Sequence, residues 1–156
     1  MTSPEHPHRL ERLDRILISN PCYFITLCVK GRRPVLAIDP VAAILREEWQ
    51  RVGDLQGWAV GSYCIMPDHV HFFCTDSERG TTLSAFVGRW KEWTTKRLRQ
   101  VIDLQGAVWQ KGFFDHLLRS SESYSAKWEY VRNNPVRAKL VNEPDEWLFQ
   151  GHIHYL

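Results

Sequence analysis

The sequence predicts an α+β fold in which a largely antiparallel sheet is covered by helices. Two observations carry this reading. Strand-like and helix-like segments follow one another as strand, helix, two strands, helix, strand, helix. The two adjacent strands are separated only by Pro67-Asp68, a turn dipeptide, so they form a hairpin.

Each element has its own signal. "CYFITLCV", Cys22 to Val29, is rich enough in β-branched and aromatic residues for a strand, and "KGRRP" after it reads as a basic turn. Asp39 followed by Pro40 marks a helix start; Val41, Ile44, Leu45, Trp49 and Val52 then recur at helical spacing up to a stop near Gly53. Trp58 to Met66 and His69 to Thr75 are the hairpin strands. Leu83, Phe86, Val87, Trp90, Thr94, Leu98 and Val101 trace one face of a long helix, with its basic residues on the flanks. A short strand falls near "VWQKGFFDHLL". Ser120 or Ser121 then caps a helix through "ESYSAKWEYVRNN", which Pro135 ends or bends. A ferredoxin-like arrangement is the leading topology for this order.

The 156 residues, 44% hydrophobic and 12% aromatic, suit one domain with an ordinary packed core. Residues 1–20 read as a flexible N-terminal arm, 21–142 as the domain and 143–156 as a C-terminal tail. "MTSPEHPHRLERLDR" is polar and no apolar run approaches a membrane span, so a soluble, cytoplasmic protein with no membrane partner is expected. Cys22, Cys28, Cys64 and Cys74 form no CxxC pair and read as buried reduced thiols. A zinc site from Cys64, His69, His71 and Cys74 is disfavoured, because on a strand Cys74 faces away from both histidines.

Chemistry concentrates in "MPDHVHFF". On a strand His69 and His71 share a face, and two neutral imidazoles side by side can hold a divalent cation. For an isolated HxH, two partly exposed strand histidines with water or carboxylate partners are the simpler explanation, because the pattern is short and a metal site needs more ligands. In "EYVRNNP", Tyr130 and Asn134 stand four apart, which places phenol and amide on one helix face. A phenolate attacks a phosphodiester when a metal polarises the phosphate; packing and helix termination are the plain alternative for this pair. Net charge is only +2, but Arg89, Lys91, Lys96, Arg97 and Arg99 face one acid, Glu92, with Trp90 and Trp93 interleaved. That mixture suits a polyanion carrying bases, or else the solvated face of an amphipathic helix.

"YCIMPDHVHFF", "WQKGFFDHLLR" and "YVRNNPVRAKLV", in this order and at these separations, closely resemble the REP-associated tyrosine transposases, a branch of the single-tyrosine HUH transposases. The resemblance runs from Tyr23 to Val141. It implies the HUH endonuclease fold, with His69 and His71 as metal ligands, Asn134 completing the shell around Mg²⁺ or Mn²⁺, and Tyr130 as nucleophile. It also implies cutting and rejoining of single-stranded DNA through a 5′-phosphotyrosine, beside hairpins of repetitive extragenic palindromes, by a monomer or homodimer. Tyr124, whose i+4 neighbour Trp128 cannot bind metal, reads as packing. Lys30, Arg32, Arg33, Arg89, Lys91, Lys96, Arg97 and Arg99 are candidate phosphate binders and Trp93 a candidate stacking residue; Trp90 belongs to the core face. Arg132 and Arg137 bracket the expected active site. His116 reads as structural or DNA-adjacent, and the second HxH, His152 and His154, has no matched partner. Lys139 stands where the family commonly carries glycine, which bears on the local turn. The competing reading is a hairpin-DNA-binding regulator without cleavage activity; a relaxase-like nuclease is disfavoured by the compact size.

Overall fold

The computed structural model describes residues 21–77 and 79–156, so the expected N-terminal arm, 1–20, lies outside the described residues. The elements are β1 (Cys22–Cys28), α1 (Asp39–Gln56), β2 (Trp58–Ile65), β3 (His69–Asp76), α2 (Leu83–Val101), β4 (Phe114–Leu118), α3 (Ser121–Arg132), a short α4 (Asn134–Arg137) and β5 (Gln150–His152). The strands form one five-stranded antiparallel sheet in the order β4-β1-β3-β2-β5. Its first four members have the ferredoxin-like order, as expected.

Alternation along the strands divides the apolar residues between two faces. One face presents Ile25, Leu27, Val60, Tyr63, Val70, Phe72 and Cys74 to Leu45 and Trp49 of α1 and to Phe86, Trp90 and Leu98 of α2. Trp49 and Trp90 stack there at 5.1 Å, and Trp58 on Phe86 at 5.4 Å. Full burial of each such ring stabilises the fold by roughly 1.5–3 kcal/mol. The other face presents Phe24, Cys64, Phe73 and Leu118 to Tyr124 and Val131 of α3. His69 and His71 belong by register to this second face. All four cysteines are buried and free. Cys74 packs on the α1 and α2 side and Cys64 on the other, so the two thiols share no site; among the described residues no group of three or more His, Cys, Asp and Glu is placed to hold a metal. Burial pushes the Cys22 and Cys64 thiols up to about 12, the inert protonated form.

Local physics moves several boundaries from their expected places. Helix α1 continues past Gly53 to Gln56 and ends where Gly57 turns left-handed at φ 74°. Gly53 marks a close approach instead: a Cβ there would lie 2.7 Å from the Trp58 carbonyl oxygen. In the expected strand near "VWQKGFFDHLL", only Phe114–Leu118 pairs continuously with β1; upstream, a single bridge joins Trp109 to Val29. Lys91 Nζ donates to the Gln110 carbonyl at 2.9 Å, so that stretch is pinned by a side chain. Ser120 is the cap of α3, its hydroxyl accepting from Ser123 N at 3.1 Å. Pro135 divides the expected single helix, since α3 ends at Arg132 and α4 restarts at Asn134. Beyond α4, Lys139 is left-handed at φ 60°, a conformation costing an L-residue about 1–2 kcal/mol and free for the glycine expected in that turn. The segment after residue 142 joins the sheet as β5, pairing with β2 from Ser62 to Cys64. Leu156 is buried there.

Candidate active site

The hairpin turn delivers both histidines at one end of the sheet. Met66 N donates to His69 O at 2.8 Å, closing a tight turn at Pro67-Asp68, and β3 begins at once. The rings of His69 and His71 lie 4.8 Å apart, nearly perpendicular. His69 Nδ1 is 2.7 Å from Asp68 Oδ1, while Asp68 Oδ2 accepts from Arg32 Nε at 2.9 Å. Partial burial alone would raise the Asp68 pKa, but the hydrogen bonds and charges of His69 and Arg32 outweigh it and hold the carboxylate ionised. His71 Nδ1 is 2.8 Å from Thr26 Oγ1, across the β1–β3 ladder, and Phe24 stacks on its ring at 5.2 Å. Burial, with the nearby charges of His69, Lys127, Arg137 and Arg32, brings the His71 pKa down to about 3. It is therefore neutral at ordinary pH, the form that binds a metal.

Both Nδ1 atoms are thus engaged. In the tautomer with a proton on each Nδ1, donated to Asp68 and Thr26, the two Nε2 lone pairs would be the donors for a metal, with partners of the kind that orient ligating imidazoles. Two imidazoles and an amide oxygen suit a divalent cation of intermediate hardness. Asn134 Oδ1 accepts from Arg137 Nη2, whose other contact is the Tyr130 carbonyl at 2.8 Å. In this arrangement the amide oxygen is occupied by that guanidinium.

Tyr130 lies in the last turn of α3, and 61% of it is exposed. Arg137 covers its ring at 3.9 Å, and the Lys127 ammonium lies 5.8 Å from the ring centroid. Lys127 also sits 4.8 Å from the Phe24 ring, the one stacked on His71. Tyrosine and histidines therefore meet around the same two cations, Lys127 and Arg137, which suit a phosphate between them. Tyr124 is the opposite case: it is buried and its hydroxyl donates to Ser62 Oγ at 2.8 Å, so it packs and braces as expected.

The remaining expected DNA contacts are spread over both sides of the sheet. Arg32 holds Asp68, and Arg33 holds the carbonyls of Lys30, Gln105 and Ala107. Arg132 pairs with Glu129 and Asp145. The basic helix α2 packs on α1, across the sheet from His69 and His71. There Arg89 and Lys96 share Glu92, Arg97 pairs with Glu47 and Glu48, and Arg99 bonds Gly106 O. Trp93 has Arg51 at 4.4 Å and Lys96 at 4.6 Å from its ring, and Trp90 is buried in the core. Of the second HxH, His152 Nδ1 lies 2.9 Å from Ser62 Oγ, and His154 Nε2 lies 3.4 Å from Gln50 Nε2. His116 stands on exposed β4.

Three residues of the site were absent from the sequence reading. Lys127 is three residues before Tyr130, a helical spacing that places it on the same face. Asp68 was read only as a turn residue, although its adjacency to His69 was visible. Thr26 carries no local signal, because its partner is set by strand pairing forty-five positions away.

Comparison with known proteins gives a consistent answer. The Transposase IS200 like family profile matches residues 18–134. A REP-associated tyrosine transposase of Escherichia coli K12 is 25% identical over 135 residues, covering 86% of this chain and 78% of that protein. An uncharacterized Haemophilus influenzae protein is 23% identical over 144 residues, covering 73% of this chain and 79% of its own length. Among solved structures, a REP-associated tyrosine transposase bound to a REP hairpin superposes with a TM-score of 0.72 at 23% identity, covering 83% of this chain and 75% of that one. With three quarters of its length matched by the family profile, this chain belongs to the IS200-like transposases, enzymes that act on DNA.

Proposed function

We propose that this chain is a metal-dependent single-stranded DNA endonuclease and strand transferase that cuts and rejoins DNA beside hairpins of repetitive extragenic palindromes. The observation that carries the reading is the meeting of exposed Tyr130 with the neutral His71, whose ring lies beside that of His69, around Lys127 and Arg137. The named REP-associated relatives support the choice of hairpin DNA as substrate.

His69 and His71, through Nε2, and Asn134, through Oδ1, would hold Mg²⁺ or Mn²⁺. When bound, the cation neutralises charge on the scissile phosphate and lowers the cost of phenolate formation. Lys127 and Arg137 draw the phosphate toward the phenol and stabilise the charge that builds on its oxygens. Tyr130 Oη attacks phosphorus; the Tyr O–P bond forms, the P–O3′ bond breaks, and the 3′ oxygen leaves as a hydroxyl after gaining a proton. The product is a 5′-phosphotyrosine. Since one phosphodiester replaces another, a second 3′-hydroxyl can reverse the exchange and join a new strand without ATP. Lys30, Arg32 and Arg33, in the turn that follows β1, and Arg132, two residues after Tyr130, would bind neighbouring phosphates.

One observation favours the non-cutting reading, a hairpin-binding regulator: the Asn134 amide oxygen is already held by Arg137. A denaturing gel of end-labelled hairpin DNA with a single-stranded flank, incubated with Mn²⁺, separates the two. The nuclease gives a covalent protein–DNA band with wild type and none with Tyr130→Phe, while hairpin binding persists. Retained binding with no band in wild type would establish the regulator.

A further inference from the structure

Strand β4 carries an arrangement that the reaction centre does not use. Phe114, His116 and Leu118 share a face by alternation, and Leu118, packed with Phe24 and Phe73, identifies it as the face bearing His71. Phe114 is 71% exposed. It stands in one cross-strand row with Thr26 and His71, two strand spacings, roughly 10 Å, from the histidine. His116 occupies the next row on that face, opposite Phe24, and is also exposed. Lys127 lies over Phe24. From Tyr130 outward the surface therefore runs phenol, ammonium, then two open rings.

We infer that Phe114, with His116 beside it, is the platform on which bases of the single strand flanking the scissile phosphate stack. This inference rests on the reading of the chain as a single-stranded DNA enzyme and names the part of the site that holds its substrate. A single strand carries an anion and a flat π-face in every nucleotide, and successive bases stack on aromatic side chains without regard to sequence. Lys127 supplies the cation at one end of the path, and Phe114 and His116 supply the faces at the other. A second copy of the chain could instead add a strand along the open edge of β4. Such pairing uses backbone N–H and C=O groups at the edge, whereas Phe114 and His116 project from the sheet face beside the reaction centre.

The test is equilibrium binding, by fluorescence anisotropy in EDTA so that no strand is cut, to a hairpin with a single-stranded flank and to the same hairpin trimmed flush. The flank carries 2-aminopurine as a stacking reporter. Phe114→Ala is expected to weaken binding of the flanked hairpin roughly 5- to 150-fold, the range for loss of one base stack. It also relieves the 2-aminopurine quenching and leaves the flush hairpin bound within about twofold. Phe114→Trp restores affinity and quenching. Unchanged affinity for the flanked hairpin in Phe114→Ala would overturn the inference, as would an equal loss for both DNAs. A shift in sedimentation without loss of flank binding would assign Phe114 to a contact between copies. Since the assay involves no cleavage, Phe114-dependent flank binding by a chain that forms no tyrosine adduct would retire the nuclease reading alone. Normal adduct formation with Phe114-independent binding would retire only the stacking platform.

Discussion

The carboxylate of Asp68 holds His69 Nδ1 with one oxygen and Arg32 Nε with the other, so it sets both the tautomer and the direction of the imidazole beside it. Asp68→Asn keeps the shape but weakens the acceptor, and partners of this kind are worth about 10- to 100-fold in metal affinity. Titration calorimetry with Mn²⁺ is expected to show a loss in that range, with the fold unchanged by circular dichroism; unaltered affinity would remove Asp68 from the site. At this scale the sequence was legible wherever spacing alone fixes geometry. His69 and His71 share a face because alternation requires it, and the same kind of spacing argument, helical periodicity, was available for Lys127 beside Tyr130 but was not applied to it. Thr26 was not legible, since only the register of β1 on β3 brings it to His71.

Among the elements, the segment read as a C-terminal tail carries the last strand. β5 has only three residues with glycine at its centre, too short for alternation to show. Its neighbourhood is nonetheless fixed: a Cβ on Gly61 of β2 would lie 2.7 Å from the Leu156 side chain and 2.9 Å from the Tyr124 hydroxyl. Leu156→Ala is expected to destabilise the protein by about 2 kcal/mol, the lower end for a buried leucine, measured as a lowered midpoint in urea; no shift would mean the segment is dispensable. The other boundary errors have similarly local causes. Gly53 resembles a helix stop yet serves a close backbone approach to Trp58, and the loop before β4 is held by Lys91 and one isolated bridge rather than by a continuous ladder. The main elements were readable because α1, α2 and the hairpin each repeat their pattern for several turns or pleats.

Across the whole molecule, charge is divided by the sheet. Of the α2 cations, Arg89, Lys96 and Arg97 are matched by Glu47, Glu48 and Glu92, and Lys91 and Arg99 hold backbone carbonyls, whereas Lys127 and Arg137 gather with His71 and the exposed tyrosine. Composition displayed the first group prominently and concealed the second, because a cluster in sequence is conspicuous while a cluster assembled by folding is not. Neutralising Lys127 to Ala is expected to reduce the slope of log affinity against log salt for flanked hairpin DNA by about 0.7–0.9, the value of one phosphate contact. Neutralising Arg89 and Lys96 together is expected to leave that slope unchanged. The opposite pattern would put the DNA on the α2 side.

The central claim is that Tyr130 itself becomes joined to the 5′ phosphate. Mass spectrometry of the wild-type protein after incubation with flanked hairpin DNA and Mn²⁺, digested with nuclease and protease, reads the residue directly. The account expects a nucleotide-phosphate mass on the peptide containing Tyr130, with fragment ions placing it on that side chain. The same mass on Tyr124 or any other residue, or DNA cut without a linked peptide, would contradict it.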